Sequence, residues 1–99
     1  MKPYEFSPDA LNDLFEIWQR IAEDSVALAN RVETEFYLLF EALSKMPRQG
    51  HARKDLTNRP VLFFPLHSFL VVYQPDAKPL RIMAVLRGRR DVKKILKGR

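Results

Sequence analysis

The sequence predicts one α+β domain in which an N-terminal helical hairpin packs on one face of a small, mainly antiparallel sheet, with a short C-terminal helix. Three observations carry this. Apolar residues recur at three- and four-residue steps through the first half of the chain. Three short apolar runs separated by turn formers follow between Val61 and Arg87. The length of 99 residues leaves room for a single hydrophobic core, so one domain over 1–99 is expected.

The elements follow in order. Tyr4 and Phe6 flank Glu5, an alternation that predicts a short strand. Ser7-Pro8-Asp9 then stops it and starts a helix, because serine caps, proline suits the first helical position and aspartate complements the dipole. Leu11, Leu14, Phe15, Trp18, Ile21 and Ala22 share a helical stripe, which predicts a helix over about 8–22. After the break at Glu23-Asp24-Ser25, with Asp24 or Ser25 as cap, a second stripe from Leu28 to Leu43 predicts a helix ending near Lys45-Met46, before Pro47. The short link makes the two helices antiparallel neighbours, with Trp18, Phe36 and Phe40 expected in the core.

Residues 47–60 read as a basic loop, long enough to be functional. Val61–Phe64, Phe69–Gln74 and Leu80–Arg87 read as strands joined by Pro65-Leu66-His67-Ser68 and Pro75-Asp76-Ala77-Lys78-Pro79, an antiparallel meander. Asp91 reads as the cap of a last helix, Val92–Lys97. Along the last strand, alternation places Leu80, Ile82, Ala84 and Leu86 on one face and Arg81, Met83, Val85 and Arg87 on the other. The hairpin covers only one sheet face, so the other is expected to be shielded by the terminal helix or left apolar and arginine-rimmed for a partner; the second reading is favoured.

Composition narrows the partners. The apolar fraction of 46% argues against disorder. There is no cysteine, hence no disulfide or thiolate metal site, which fits the cytoplasm. The start of the sequence lacks the apolar stretch of a signal peptide, and the longest apolar runs are far too short to cross a bilayer, so no membrane role is expected. The net charge of +5 conceals an asymmetry: residues 1–46 carry nine acids against four bases, whereas 47–99 carry thirteen bases against three acids. An anionic partner is therefore drawn to the second half.

Most catalytic motifs are absent, among them Walker A, HExxH, GxSxG and the dinucleotide fingerprint. His51 and His67 stand alone without ligand spacing, so neither a metal nor any other cofactor is expected. One chemistry survives: RNA cleavage through the substrate's own 2′-hydroxyl, which needs only proton carriers and cations. Arg53, Arg59, Arg81 and Arg87 are candidate cations and His51 or His67 candidate proton carriers.

Several stretches taken in order resemble a known family. They are Tyr4-Glu5-Phe6-Ser7-Pro8-Asp9-Ala10 with Asp13-Leu14, Ile17-Trp18, Ile21-Ala22-Glu23-Asp24-Ser25, Leu43, Pro47 through Gly50, Arg53 with Asp55-Leu56, Val71-Val72-Tyr73, and Val85-Leu86-Arg87-Gly88-Arg89-Arg90-Asp91-Val92. The set resembles the ParE-type toxins of the RelE/ParE toxin–antitoxin superfamily. The resemblance implies a β-α-α-β-β-β core, growth inhibition by poisoning DNA gyrase, and neutralisation by a cognate ParD-like antitoxin with a ribbon-helix-helix fold and an acidic tail, in a hetero-oligomer. RelE-like relatives instead cleave mRNA on the ribosome, commonly with a tyrosine or histidine near the C-terminus. Here Val92-Lys93-Lys94-Ile95-Leu96-Lys97 has neither, and the position before Gly88, often histidine in ParE-like sequences, is Arg87.

The expected function is thus a non-enzymatic gyrase-stalling toxin, with a ribosome-dependent endonuclease as the alternative. Arg87, Arg89, Arg90, Lys93 and Lys94 are the expected target contacts, and Arg81, Met83, Val85 and Arg87 the expected antitoxin contacts.

Overall fold

A computed structural model describes residues 3–88 and 91–99. The chain runs β1 (Tyr4–Phe6), α1 (Pro8–Ala22), α2 (Val26–Lys45), a 3-10 turn (Pro47–Gln49), β2 (Leu62–Leu66), β3 (Phe69–Gln74), β4 (Leu80–Arg87) and α3 (Val92–Lys97). The caps are those the sequence offers: Ser7 Oγ accepts from Ala10 N, Ser25 Oγ from Leu28 N and Asp91 Oδ1 from Lys94 N. No helix among the described residues is long and apolar enough to cross a membrane.

The sheet order is β1-β4-β3-β2, with β1 parallel to β4 and the β2-β3-β4 meander antiparallel. β2 runs two residues further than the pattern predicts, through Pro65 and Leu66, leaving only His67 and Ser68 in the turn. Proline is tolerated there because β2 is an edge strand, where a missing N–H removes no ladder bond. His67 takes φ 55°, the left-handed conformation of a tight hairpin.

Two apolar layers enclose the sheet. Phe36, Phe40 and Leu43 of α2 and Ala10 of α1 pack on Val71, Tyr73, Leu80, Ile82 and Val85. Full burial of each large side chain there contributes about 2–3 kcal/mol. On the outer face Val61, Phe63, Val72, Ala84 and Leu86 are met by Val92 and Leu96 of α3. The terminal helix therefore covers much of the face that the sequence favours as open.

Strict alternation along β4 also fails. Val72 pairs with Ala84 but Tyr73 pairs with Ile82, so Met83 is an extra, bulged residue. The bulge reverses the pattern: Leu80, Ile82 and Val85 face the hairpin, whereas Ala84 and Leu86 face α3. Val85 is consequently buried beneath α1, away from the face assigned to it with Arg81 and Met83.

Trp18 departs from its expected place as well. Phe36 and Phe40 are buried, but Trp18 is half-buried on the outer side of the hairpin, where its Nε1 donates to Asn30 Oδ1 at 2.9 Å. The indole N–H requires a partner, and the seam between α1 and α2 provides one without taking it out of reach of water.

Candidate functional site

β1 ends at Phe6, which leaves the far half of β4 without a strand neighbour on that side. The start of α1 replaces it. Ser7 N donates to Ile82 O and Ser7 Oγ to Met83 O, both at 2.9 Å. Further along α1, Asp13 Oδ2 accepts from Val85 N at 3.0 Å. The same carboxylate receives both arms of the Arg99 guanidinium, at 2.7 and 2.8 Å. These bonds with Asp13 raise the Arg99 pKa above its ordinary value, against the opposing effect of burial. Asp13 thus ties α1, β4 and the segment after α3 together, a role that its place on the helix does not announce.

Beside this knot, Arg20 of α1 and Arg87 of β4 border a cavity of about 130 Å³ floored by Ile17, Ile21, Phe69 and Ile95. Arg81 belongs elsewhere. It sits between the inward-facing Leu80 and Ile82, so it points to the outer face, where Nη1 donates to Glu5 Oε1 at 3.1 Å. Arg81 and Arg87 therefore stand on opposite faces of the sheet, about 20 Å apart along the strand. Met83 shares the outer face with Arg59, in a shallow groove of about 250 Å³ that also includes Val61, Val72 and Leu96.

The candidate proton carriers are no better gathered. His67, in the β2-β3 turn, is bonded through Nε2 to Glu35 of α2. His51 is joined by its backbone to Phe63 near the start of β2, with both bonds 2.8 Å. Arg53 forms an exposed two-armed pair with Asp55, which raises the guanidinium pKa and lowers that of the carboxyl. Arg59 Nη2 donates to the main-chain oxygen of Arg99. Tyr73, the buried tyrosine nearest this loop, is occupied on both sides: its hydroxyl donates to Pro47 O at 2.7 Å and accepts from Gly50 N at 2.9 Å. Burial pushes that phenol up, so it keeps its proton. Tyr73 is a clamp for the 47–60 loop.

The basic end of the chain is accessible. Arg87, Lys93 and Lys94 are all exposed, while Arg89 and Arg90 lie outside the described residues. A third surface gave no functional signal in sequence. Leu11 and Phe15 are 55% and 58% exposed, and with Trp18 and Tyr37 they line an apolar groove of about 790 Å³ along the hairpin. Exposed patches of this kind mark interaction sites in soluble domains. α1 does carry Leu11, Phe15 and Trp18 beside Leu14, Ile17 and Ile21, more apolar surface than one sheet face requires, but width alone does not separate packing on α2 from docking of a partner.

A family model described as the ParE toxin of the type II toxin–antitoxin system parDE matches residues 4–92. No curated protein matches the chain. Among solved structures, a chain from a chromosomal ParDE TA system of P. aeruginosa is similar, with a TM-score of 0.70 at 17% identity, over 85% of this chain and 92% of that one. At that identity the likeness concerns the fold.

Proposed function

This chain belongs to the ParE toxin family of type II toxin–antitoxin systems, and from that premise we propose that it inhibits DNA gyrase by stalling the cleaved-DNA complex, without catalysis of its own. The observation that carries this reading is the separation of the groups that a nuclease would need. His67 is held at Glu35, His51 lies beside the start of β2, and Arg81 and Arg87 occupy opposite faces of the sheet. Proton transfer and charge stabilisation demand convergence on one phosphate. What remains is an exposed basic segment, with Arg87, Lys93 and Lys94 on well-anchored elements, suited to gripping a macromolecule.

A cognate antitoxin neutralises the toxin by direct binding, and the two form a hetero-oligomer in the cytoplasm. Its apolar helix lies in the hairpin groove over Leu11, Phe15 and Trp18, and its acidic tail continues across α1 to Arg87 on the same side of the sheet; Arg81 and Met83 lie on the outer face and Val85 is buried, apart from this path. The test is to add purified protein to gyrase and supercoiled plasmid. Linear, cleaved plasmid accumulates in proportion to the protein added. Unchanged cleavage and supercoiling at saturating protein would remove the gyrase reading, and codon-spaced mRNA cleavage in a translating extract would install the endonuclease in its place.

A further inference from the structure

The cavity between α1, β4 and α3 combines features that the toxin reading leaves unexplained. Its walls carry three guanidinium groups, Arg20, Arg87 and Arg99, and two carboxylates, Asp13 and Glu16. Arg99 and Asp13 neutralise each other in a two-armed pair. Among the described residues, no carboxylate comes within ion-pair distance of Arg20 or Arg87. Glu16 is the second carboxylate of the lining, so the groups that line the cavity sum to a single positive charge, while Asp9 approaches Arg99 at 3.9 Å from outside the lining.

We propose that this cavity receives one carboxylate side chain from a protein partner, gripped between Arg20 and Arg87. The charge balance limits the ligand to one negative charge: a carboxylate matches the lining, whereas a phosphate dianion overcompensates it. A phosphodiester matches the charge too and is disfavoured by the floor. The floor selects too: Ile17, Ile21, Phe69 and Ile95 accept the methylenes of a glutamate and offer a nucleotide no hydrogen bonds. A volume of about 130 Å³ is on the scale of one side chain. The cavity also lies across α1 from the apolar groove, since Glu16 and Arg20 line one flank of that helix while Leu11, Phe15 and Trp18 line the other. A segment seated in the groove reaches the cavity by crossing one helix, about 10 Å wide. The proposal rests on the antitoxin reading above for the origin of the carboxylate, but not for the site itself.

The experiment uses the purified full chain and propionate, the side-chain analogue of glutamate, at constant ionic strength against chloride. Nitrogen–proton NMR is read at the guanidinium Nε groups and at the Val85 and Ile95 amides. Saturable shifts confined to the cavity are expected, with millimolar affinity. Arg87→Gln and Arg20→Gln each weaken them about fivefold, and Lys78→Gln, in the β3-β4 turn at the far end of β4, leaves them unchanged. Absence of saturable shifts, or their survival in the Arg20→Gln/Arg87→Gln double variant, overturns the proposal. Tighter binding of dimethyl phosphate, the phosphodiester analogue, than of propionate overturns it in favour of a nucleic-acid backbone. None of these readouts involves gyrase, so the cavity and the target reading fail separately.

Discussion

Asp13 accepts from Val85 N and from both arms of Arg99 while only 7% exposed, which makes it the most heavily bonded carboxylate in the structure's described part. Truncation leaves a buried N–H without a partner and the half-buried Arg99 guanidinium with only Asp9, 3.9 Å away, and unmet groups cost more than the bonds themselves are worth. Asp13→Ala is therefore expected to lower stability by about 2–3 kcal/mol, read as a lower urea midpoint with an unchanged slope. Asp13→Asn keeps an oxygen for Val85 N and is expected to lose about half as much; equal losses from both would show that the bond to β4 contributes little. The sequence offers no route to this residue. Ser7 is readable as a cap because its partner, Ala10, is three residues away. The partners of Asp13 lie 72 and 86 residues along the chain, where no local pattern reaches.

At the scale of elements, the helices were readable because each announces its start with a side chain that bonds its own first turn. The phase of β4 was not. Its alternation holds apolar residues in both registers after Ile82, so an inserted Met83 leaves no mismatch to betray the bulge. The consequence falls on α3. A six-residue helix is unstable alone; it persists because the bulge turns Ala84 and Leu86 outward to meet Val92 and Leu96. Leu96→Ala removes the largest of those contacts, at a cost of about 2–3 kcal/mol. Hydrogen exchange is expected to accelerate across Val92–Lys97 while the central amides of β3 and β4 stay protected. Uniform acceleration through the sheet would instead make α3 part of the cooperative core.

Across the whole molecule, charge and apolar exposure are segregated. The acidic half of the sequence builds the hairpin with its exposed apolar groove, and the basic half builds the sheet end and α3. The charge difference could be read directly from composition, but the groove could not, because a stripe that packs and a stripe that waits for a partner look alike in sequence. This segregation predicts that neutralisation and target contact depend on separable residues joined at Arg87. Phe15→Glu, at a site 58% exposed, is expected to weaken antitoxin binding at least about tenfold with gyrase poisoning and thermal stability retained. Lys93→Glu with Lys94→Glu is expected to abolish poisoning and leave antitoxin affinity within about threefold, since exposed charges contribute little to an interface that they only border. Arg87→Glu is expected to weaken both, because Arg87 borders the cavity on α1 and also begins the basic segment. Affinity by calorimetry and plasmid cleavage by gyrase, measured on the same preparations, separate the three variants. If all three lose both activities in equal proportion, antitoxin and gyrase share one surface and the antitoxin acts by direct occlusion. If the pattern holds, the antitoxin secures itself on the hairpin and reaches the basic end only at Arg87.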